Sequence, residues 1–237
     1  MKSFAYVTAF AVGIGTLGTA SYSHAGSLDV KLDAYKGQNV SIDPSPNYNG
    51  QVYASAFDMK VTGGDQPSYL PDNFVGFCID LDETIKKGTH TYNEGSLTSA
   101  PLVGSGSASF SIDQTKADNL GKWYGKYFND FGGNDYNAWT PKNAAFFQVG
   151  VWEIIVDGGG GNFNLTEGNF ITTSGYANGY DAGDWMSAGS LKLRALTSDS
   201  VQDVAVVVPS PVAAMSLLPM LGGLLLMRRN RASRRSA

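Results

Sequence analysis

The sequence predicts an α+β protein, an antiparallel β-sandwich or barrel-like sheet with about two helices packed against it. Three observations support this class. Apolar and polar residues alternate in the first half of the chain, as they do in half-buried strands. Apolar residues then recur at helical spacing between Asp113 and Asp157. The 29 glycines, which cluster with Asn, Asp and Ser, indicate many turns.

Five segments have the composition of strands, and one stretch between them has the composition of a loop. Residues 43–50 combine two prolines with Asn, Ser, Asp and Gly, which favours a loop. The predicted strands are Leu28–Leu32, Val52–Val61, Phe74–Ile79, Thr84–Tyr92 and Val201–Val208.

Two helices are predicted from their caps. Asp113 is a plausible N-cap for a helix that ends at Gly132 and Gly133. Thr140 followed by Pro141 predicts the start of a second helix, with threonine as cap and proline at the first helical position. This helix ends at Asp157, before four glycines, and places Gln148 on the same face as its apolar residues Ala145, Val149, Trp152 and Val156.

Both ends of the chain have the composition of targeting segments. Residues 1–25 carry one lysine, an apolar stretch and small residues before Gly26, which predicts a secretory signal peptide. Residues 208–237 contain Pro209, Ser210 and Pro211, then a 16-residue apolar run and five arginines. A spanning helix needs roughly 17 to 25 residues, so this run is short, and the arginines would keep that end in the cytoplasm. An ordinary C-terminal membrane anchor is the alternative interpretation.

This three-part tail resembles the sorting signal of PEP-CTERM proteins, in which a Pro-Glu-Pro motif, a hydrophobic segment and a basic tail are recognised by an exosortase. Ser210 stands where the glutamate usually is. The resemblance implies an exported protein of a Gram-negative bacterium. Such a protein is anchored transiently in the inner membrane, is cut by an exosortase-type enzyme near Pro209 to Pro211, and is then placed at the cell surface or in the extracellular matrix.

Removing both ends makes the remaining domain, residues 26–207, strongly acidic. It keeps 11 basic and 21 acidic residues, a net charge of −10 against −4 for the whole chain. Because nucleic-acid binding requires a basic face, this charge argues against a nucleic-acid partner. The length fits one domain with one core.

Cys78 and Gln148 are the candidate functional residues. Cys78 is the only cysteine, so it has no internal disulfide partner, and Gln148 is a lone amide in the apolar run 144–156. A buried amide without a partner disfavours folding by roughly 1–3 kcal/mol. Inert burial of the thiol and a hydrogen bond from Gln148 to backbone are the structural interpretations. Alternatively, the Gln148 carbonyl could acylate the Cys78 sulfur with loss of ammonia, giving an internal thioester.

The residues around both positions resemble the thioester domains of bacterial surface adhesins. Those domains have a Cys in an aromatic-flanked strand and, downstream, a helix with a hydrophobic-Gln-x-x-hydrophobic-Trp motif, which residues 147–152 match. The resemblance implies a Cys78–Gln148 thioester shielded by Phe77 and Trp152. It also implies adhesion by covalent attachment to an amine or hydroxyl on an unidentified protein or polysaccharide, without enzymatic turnover and without a cofactor.

Other functions remain open from the residues. A hydrolase would use Cys78 with His90, the only histidine outside the signal peptide, and Asp80 or Asp82 as the orienting acid. A passive matrix protein or carbohydrate-binding sandwich would use Cys78 and Gln148 structurally. Two acidic groups could line a calcium site, but neither has the spacing of a known ligand loop, so we expect solvated acids and no metal. The groups are Asp80, Asp82 and Glu83, and Asp157, Asn162 and Asn164.

Overall fold

The computed structural model describes residues 26–44, 50–81, 83–100, 110–159, 163–172 and 184–209. The predicted signal peptide and residues 210–237 of the predicted sorting signal lie outside these ranges, as do Asp82 and Asn162. Within the described ranges, no helix combines the length and apolar character needed to cross a membrane.

Among the described residues there are seven antiparallel strands and two α-helices, which confirms the predicted α+β class. The strands are β1 (Ser27–Pro44), β2 (Gly50–Gly64), β3 (Asn73–Cys78), β4 (Gly88–Gly95), β5 (Phe170–Thr172), β6 (Lys192–Thr197) and β7 (Val204–Val208). The helices are α1 (Gln114–Phe131) and α2 (Pro141–Asp157), with single 3-10 turns at Leu97–Ser99, Tyr136–Ala138 and Trp185–Ser187.

The sheet closes into a barrel-like ring. The strand order is β2-β3-β7-β6-β4-β1-β5, and β1 also pairs with β2 along most of its length. Strand β1 can serve two neighbours because it is long: its first part, Ser27–Leu32, pairs with β4, and its last part, Ile42–Pro44, pairs with β5. Six strands therefore form the ring, and the short β5 extends it beside the end of β1.

Several predicted strand boundaries were wrong. Strand β1 runs from Ser27 to Pro44, past the predicted Leu28–Leu32 and into the predicted loop 43–50, because β5 pairs with its last three residues. Strand β4 spans Gly88–Gly95 rather than Thr84–Tyr92. The predicted last strand, Val201–Val208, begins only at Val204, and β5 and β6 were not predicted.

Both helices begin and end as the sequence predicts. The Asp113 carboxylate accepts the Lys116 N–H at 2.8 Å, and the Thr140 hydroxyl accepts the Asn143 N–H at 3.1 Å. Gly158, with φ of 86°, ends α2 in the left-handed region that favours glycine. These caps satisfy donors and acceptors that the helix ends would otherwise leave unpaired.

Helix α2 contributes side chains to two apolar clusters. The barrel cluster contains inward-facing strand residues such as Val30, Phe74 and Cys78, together with Ala145, Val149 and Trp152 of α2. The helical cluster lies between the outer side of the sheet and α1, and contains Phe77 of β3 and Phe147 of α2. Because α2 contacts apolar side chains on both sides, its residues 144–155 are all buried. The polar side chain of Gln148 is therefore held in the interior.

Candidate functional site

The fold brings Cys78 and Gln148 together across 70 residues of sequence. The Cys78 backbone N–H donates to Gln148 Oε1 at 2.9 Å, and Gln148 Nε2 donates to the Cys78 carbonyl oxygen at 2.9 Å. Both side chains have 0% solvent exposure. The amide therefore satisfies two backbone groups that would otherwise be buried and unpaired.

Strand pairing explains why these two backbone groups are available. The pairing of β3 with β2 ends at Gly76, and the N–H of Ile79 donates to Asp203 on the side of β7. Since successive N–H groups in a strand point to opposite edges, the N–H of Cys78 points to the edge that β2 has left. Gln148 takes the place of a strand at this position.

The sulfur of Cys78 has different partners from the backbone of Cys78. Its S–H donates to the Asp80 carbonyl oxygen at 2.7 Å, and Trp152 Nε1 donates to the sulfur at 3.5 Å. The Gln148 amide thus contacts the backbone of the residue that carries the thiol, while the thiol itself bonds Asp80 and Trp152. Gln148 and Trp152 are four residues apart on α2, which places both beside Cys78.

The environment of Cys78 keeps the thiol protonated. Burial raises the pKa of the Cys78 thiol well above its usual range. The Trp152 N–H acts in the opposite direction, and the Asp80 and Asp203 carboxylates raise the pKa further. A thiol with a raised pKa is a poor nucleophile and a poor metal ligand in its resting state.

The two predicted shielding residues lie on different sides of the sheet. Trp152 belongs to the barrel cluster and contacts the sulfur. Phe77 belongs to the helical cluster, where its ring lies 4.4 Å from the Phe147 ring and 4.9 Å from the Trp139 ring, centroid to centroid. Neighbouring residues of a strand point to opposite faces of the sheet, so the Phe77 ring and the Cys78 sulfur lie on opposite faces of β3.

Of the residues named for the alternative functions, Asp80 adjoins the thiol, whereas His90 and Asp157 have their contacts on other elements. His90 is half-buried on β4, and its Nε2 lies 3.0 Å from the Lys86 carbonyl oxygen. The Asp157 carboxylate accepts hydrogen bonds from the backbone N–H groups of Asn169 and Phe170, and these bonds connect the end of α2 to the start of β5. Across the described ranges, His, Cys, Asp and Glu side chains form no group of three or more that could hold a metal ion.

Two polar residues that the sequence did not single out also belong to this region. Gln202 Nε2 donates to the carbonyl oxygens of Asp80 at 2.7 Å and Glu83 at 2.9 Å. Asp203 accepts the Ile79 N–H through its backbone and the Ser198 N–H through its carboxylate. In sequence, Gln202 and Asp203 fall within the predicted strand Val201–Val208, and no motif singled them out.

Comparisons of this chain with protein-family models, with curated proteins and with solved structures found no match.

Proposed function

We propose that this protein is an exported surface or matrix protein that attaches covalently to its target through an internal thioester between Cys78 and Gln148. The observation that carries the proposal is the placement of the Gln148 amide against Cys78, with both residues fully buried. A thioester exposed to water hydrolyses, so it requires a dry site of this kind.

Closure of the thioester would join the Cys78 sulfur to the side chain of Gln148, which is hydrogen-bonded to the Cys78 backbone. The Cys78 sulfur attacks Cδ of Gln148, and negative charge develops on Oε1, which accepts the Cys78 N–H at 2.9 Å. Because burial keeps the thiol protonated, closure requires its proton to leave the Asp80 carbonyl and to pass to Nε2 as the sulfur adds to Cδ. The C–N bond then breaks, and one ammonia leaves. A target amine then attacks the acyl carbon, forming an amide and returning a proton to the sulfur. A hydroxyl would give an ester by the same route.

Each molecule would react once, so the proposal includes no enzymatic turnover. The bond would also close a 70-residue loop, and by analogy with a disulfide the chain-entropy contribution is at most about 4 kcal/mol. A thioester would therefore stabilise the domain until the target opens it.

The test is the reaction of the folded protein with methylamine. We expect an N-methylated Gln148 side chain and a free Cys78 thiol to appear together, because both belong to the same bond. Cys78→Ala and Gln148→Ala should each abolish the reaction, whereas His90→Ala should leave it unchanged. A reaction that depends on His90 would favour the Cys/His hydrolase instead.

The proposed location follows from the terminal segments. We propose export by the signal peptide, transient anchoring in the inner membrane, and cleavage near Pro209, Ser210 and Pro211 by an exosortase-type enzyme. Replacing Pro209 and Pro211 should leave the unprocessed chain in the membrane fraction. Finding Arg234 and Arg235 on the released protein would contradict cleavage and favour a simple anchor.

A passive or carbohydrate-binding matrix protein is the second candidate function. Tyr35 and Tyr53 are the large hydrophobic residues that stay exposed among the described residues, each at 43%, and their rings meet edge to face at 5.4 Å. Exposed aromatic rings can pack on the C–H faces of sugars. Retention of the protein by a polysaccharide gel, lost in Tyr35→Ala and in Tyr53→Ala, would support this function.

A further inference from the structure

Gln202, a buried glutamine just before β7, donates a hydrogen bond to the same Asp80 carbonyl oxygen that the Cys78 thiol contacts. Gln202 is 9% exposed and precedes β7, 122 residues after Asp80. Its Nε2 donates both to Asp80 O at 2.7 Å and to Glu83 O at 2.9 Å. The backbone carbonyl of Gln202 is in turn 3.5 Å from the Tyr92 hydroxyl, which donates to it.

The Asp80 carbonyl oxygen therefore has two donors. It accepts the Gln202 amide N–H and the Cys78 S–H, each at 2.7 Å. A carbonyl oxygen has two lone pairs and can accept both. Gln202 fixes the position of this oxygen, and the oxygen fixes the direction of the thiol proton.

The orientation of the thiol matters for the proposed closure. With its proton directed to Asp80, the sulfur has two lone pairs, of which one accepts the Trp152 N–H and the other would attack the acyl carbon of Gln148 in the proposed closure. Gln148 is itself held by two hydrogen bonds to the Cys78 backbone. Hydrogen bonds therefore restrict both reacting groups before the reaction, and an intramolecular reaction is sensitive to small changes in the placement of its groups.

We infer that Gln202 is a positioning residue for thioester closure, acting through the Asp80 carbonyl that orients the Cys78 thiol. This inference rests on the proposed function. Gln202 touches neither the sulfur nor the acyl carbon in any contact described above. Its loss should therefore change the rate of closure without changing which bond forms.

The experiment follows ammonia loss after synthesis of the full chain in a cell-free system. Samples are quenched at intervals, and intact mass gives the closed fraction of the folded molecules. Gln202→Leu removes both donors at similar size, and we expect closure to slow by roughly 10- to 100-fold, the scale of a small misplacement of reacting groups. A closure rate equal to that of the unaltered chain would overturn the inference.

A matched control separates positioning from a general loss of stability. Gln66 lies between β2 and β3, and its Nε2 donates to Leu70 O at 2.8 Å and to Asp72 Oδ1 at 3.1 Å. Like Gln202 it bridges two groups through its amide, but neither of these contacts involves Cys78. The variants are compared at denaturant concentrations that give equal folded fractions. Gln66→Leu should then close at the normal rate, and equal slowing in both variants would overturn the inference.

Three further cases are distinguishable. If Gln202→Leu does not fold, Gln202→Met removes the same donors with an unbranched side chain, and the same slowing is expected. If the unaltered chain never loses ammonia, the proposed thioester fails, and the inference about Gln202 fails with it. If the unaltered chain closes and both Gln202 variants close equally fast, the inference alone is wrong.

Discussion

Glu153 is expected to make the stability of the protein fall as pH rises. Its side chain is fully buried on α2; Oε1 accepts the Asn164 N–H at 3.1 Å, and Oε2 has no hydrogen-bond partner. The pKa of Glu153 is raised from 4.5 to about 8, mainly by burial. The Asn164 N–H lowers this pKa, and the Asp157 carboxylate raises it. The folded protein thus holds a proton near neutral pH that the unfolded chain has lost.

The magnitude follows from the two pKa values. Between pH 4.5 and 8 unfolding releases this proton, so the free energy of unfolding decreases with pH, by up to about 1.4 kcal/mol per unit. Between pH 5 and pH 7 the decrease attributable to Glu153 is about 2.5 kcal/mol. The contribution of the protonated side chain is complete below pH 4.5 and is lost as pH rises through 8.

Urea unfolding followed by tryptophan fluorescence measures this effect. The perturbation is Glu153→Gln, which keeps an oxygen for the Asn164 N–H and cannot ionise. We expect the unaltered protein to lose about 2.5 kcal/mol relative to Glu153→Gln between pH 5 and pH 7. Parallel pH profiles for the two proteins would show that Glu153 ionises normally in the folded state and would refute the reasoning.

Two further substitutions test the packing and the hydrogen bonds around Gln148. Gly150→Ala should destabilise the protein by about 1–3 kcal/mol in thermal or urea unfolding, because the added Cβ would overlap the Trp123 ring. Gly189→Ala, where the added Cβ has no neighbour within 4 Å, is the control and should be nearly neutral. Gln148→Glu should cost at least about 2 kcal/mol, because it places a second acceptor against the Cys78 carbonyl. A neutral Gln148→Glu variant would contradict the described pairing.

The helices could be predicted from sequence because their signals are local. Asp113 and Thr140 cap the helices they precede, and glycine follows each helix end. These preferences depend on residues within one turn and do not require knowledge of the rest of the fold.

The strands were harder to predict because their partners are distant in sequence. Strand β5 has three residues and exists by pairing with the end of β1, more than 120 residues earlier. The same pairing extends β1 through Asp43 and Pro44, whose composition favours a loop. Pairing of this kind is decided by tertiary context rather than by local propensity.

The site was predictable in part. The apolar surroundings of Cys78 and Gln148 predict that both are buried, and both have 0% exposure. Sequence alone could not show that the amide would meet the Cys78 backbone, because this depends on where β2 leaves β3. Nor could it show that Phe77 would face the helical cluster while Trp152 faces the sulfur.

The central claim is tested most directly by the intact mass of the purified mature protein, measured under denaturing conditions with a thiol reagent present. The proposed thioester predicts a mass one ammonia below that of the processed sequence, with Cys78 unmodified by the reagent even after unfolding. A protein of full sequence mass whose Cys78 is alkylated on unfolding would contradict the proposal. Gln148 would then serve only as the hydrogen-bond partner of the Cys78 backbone N–H and carbonyl, which have no strand partner at this edge of β3.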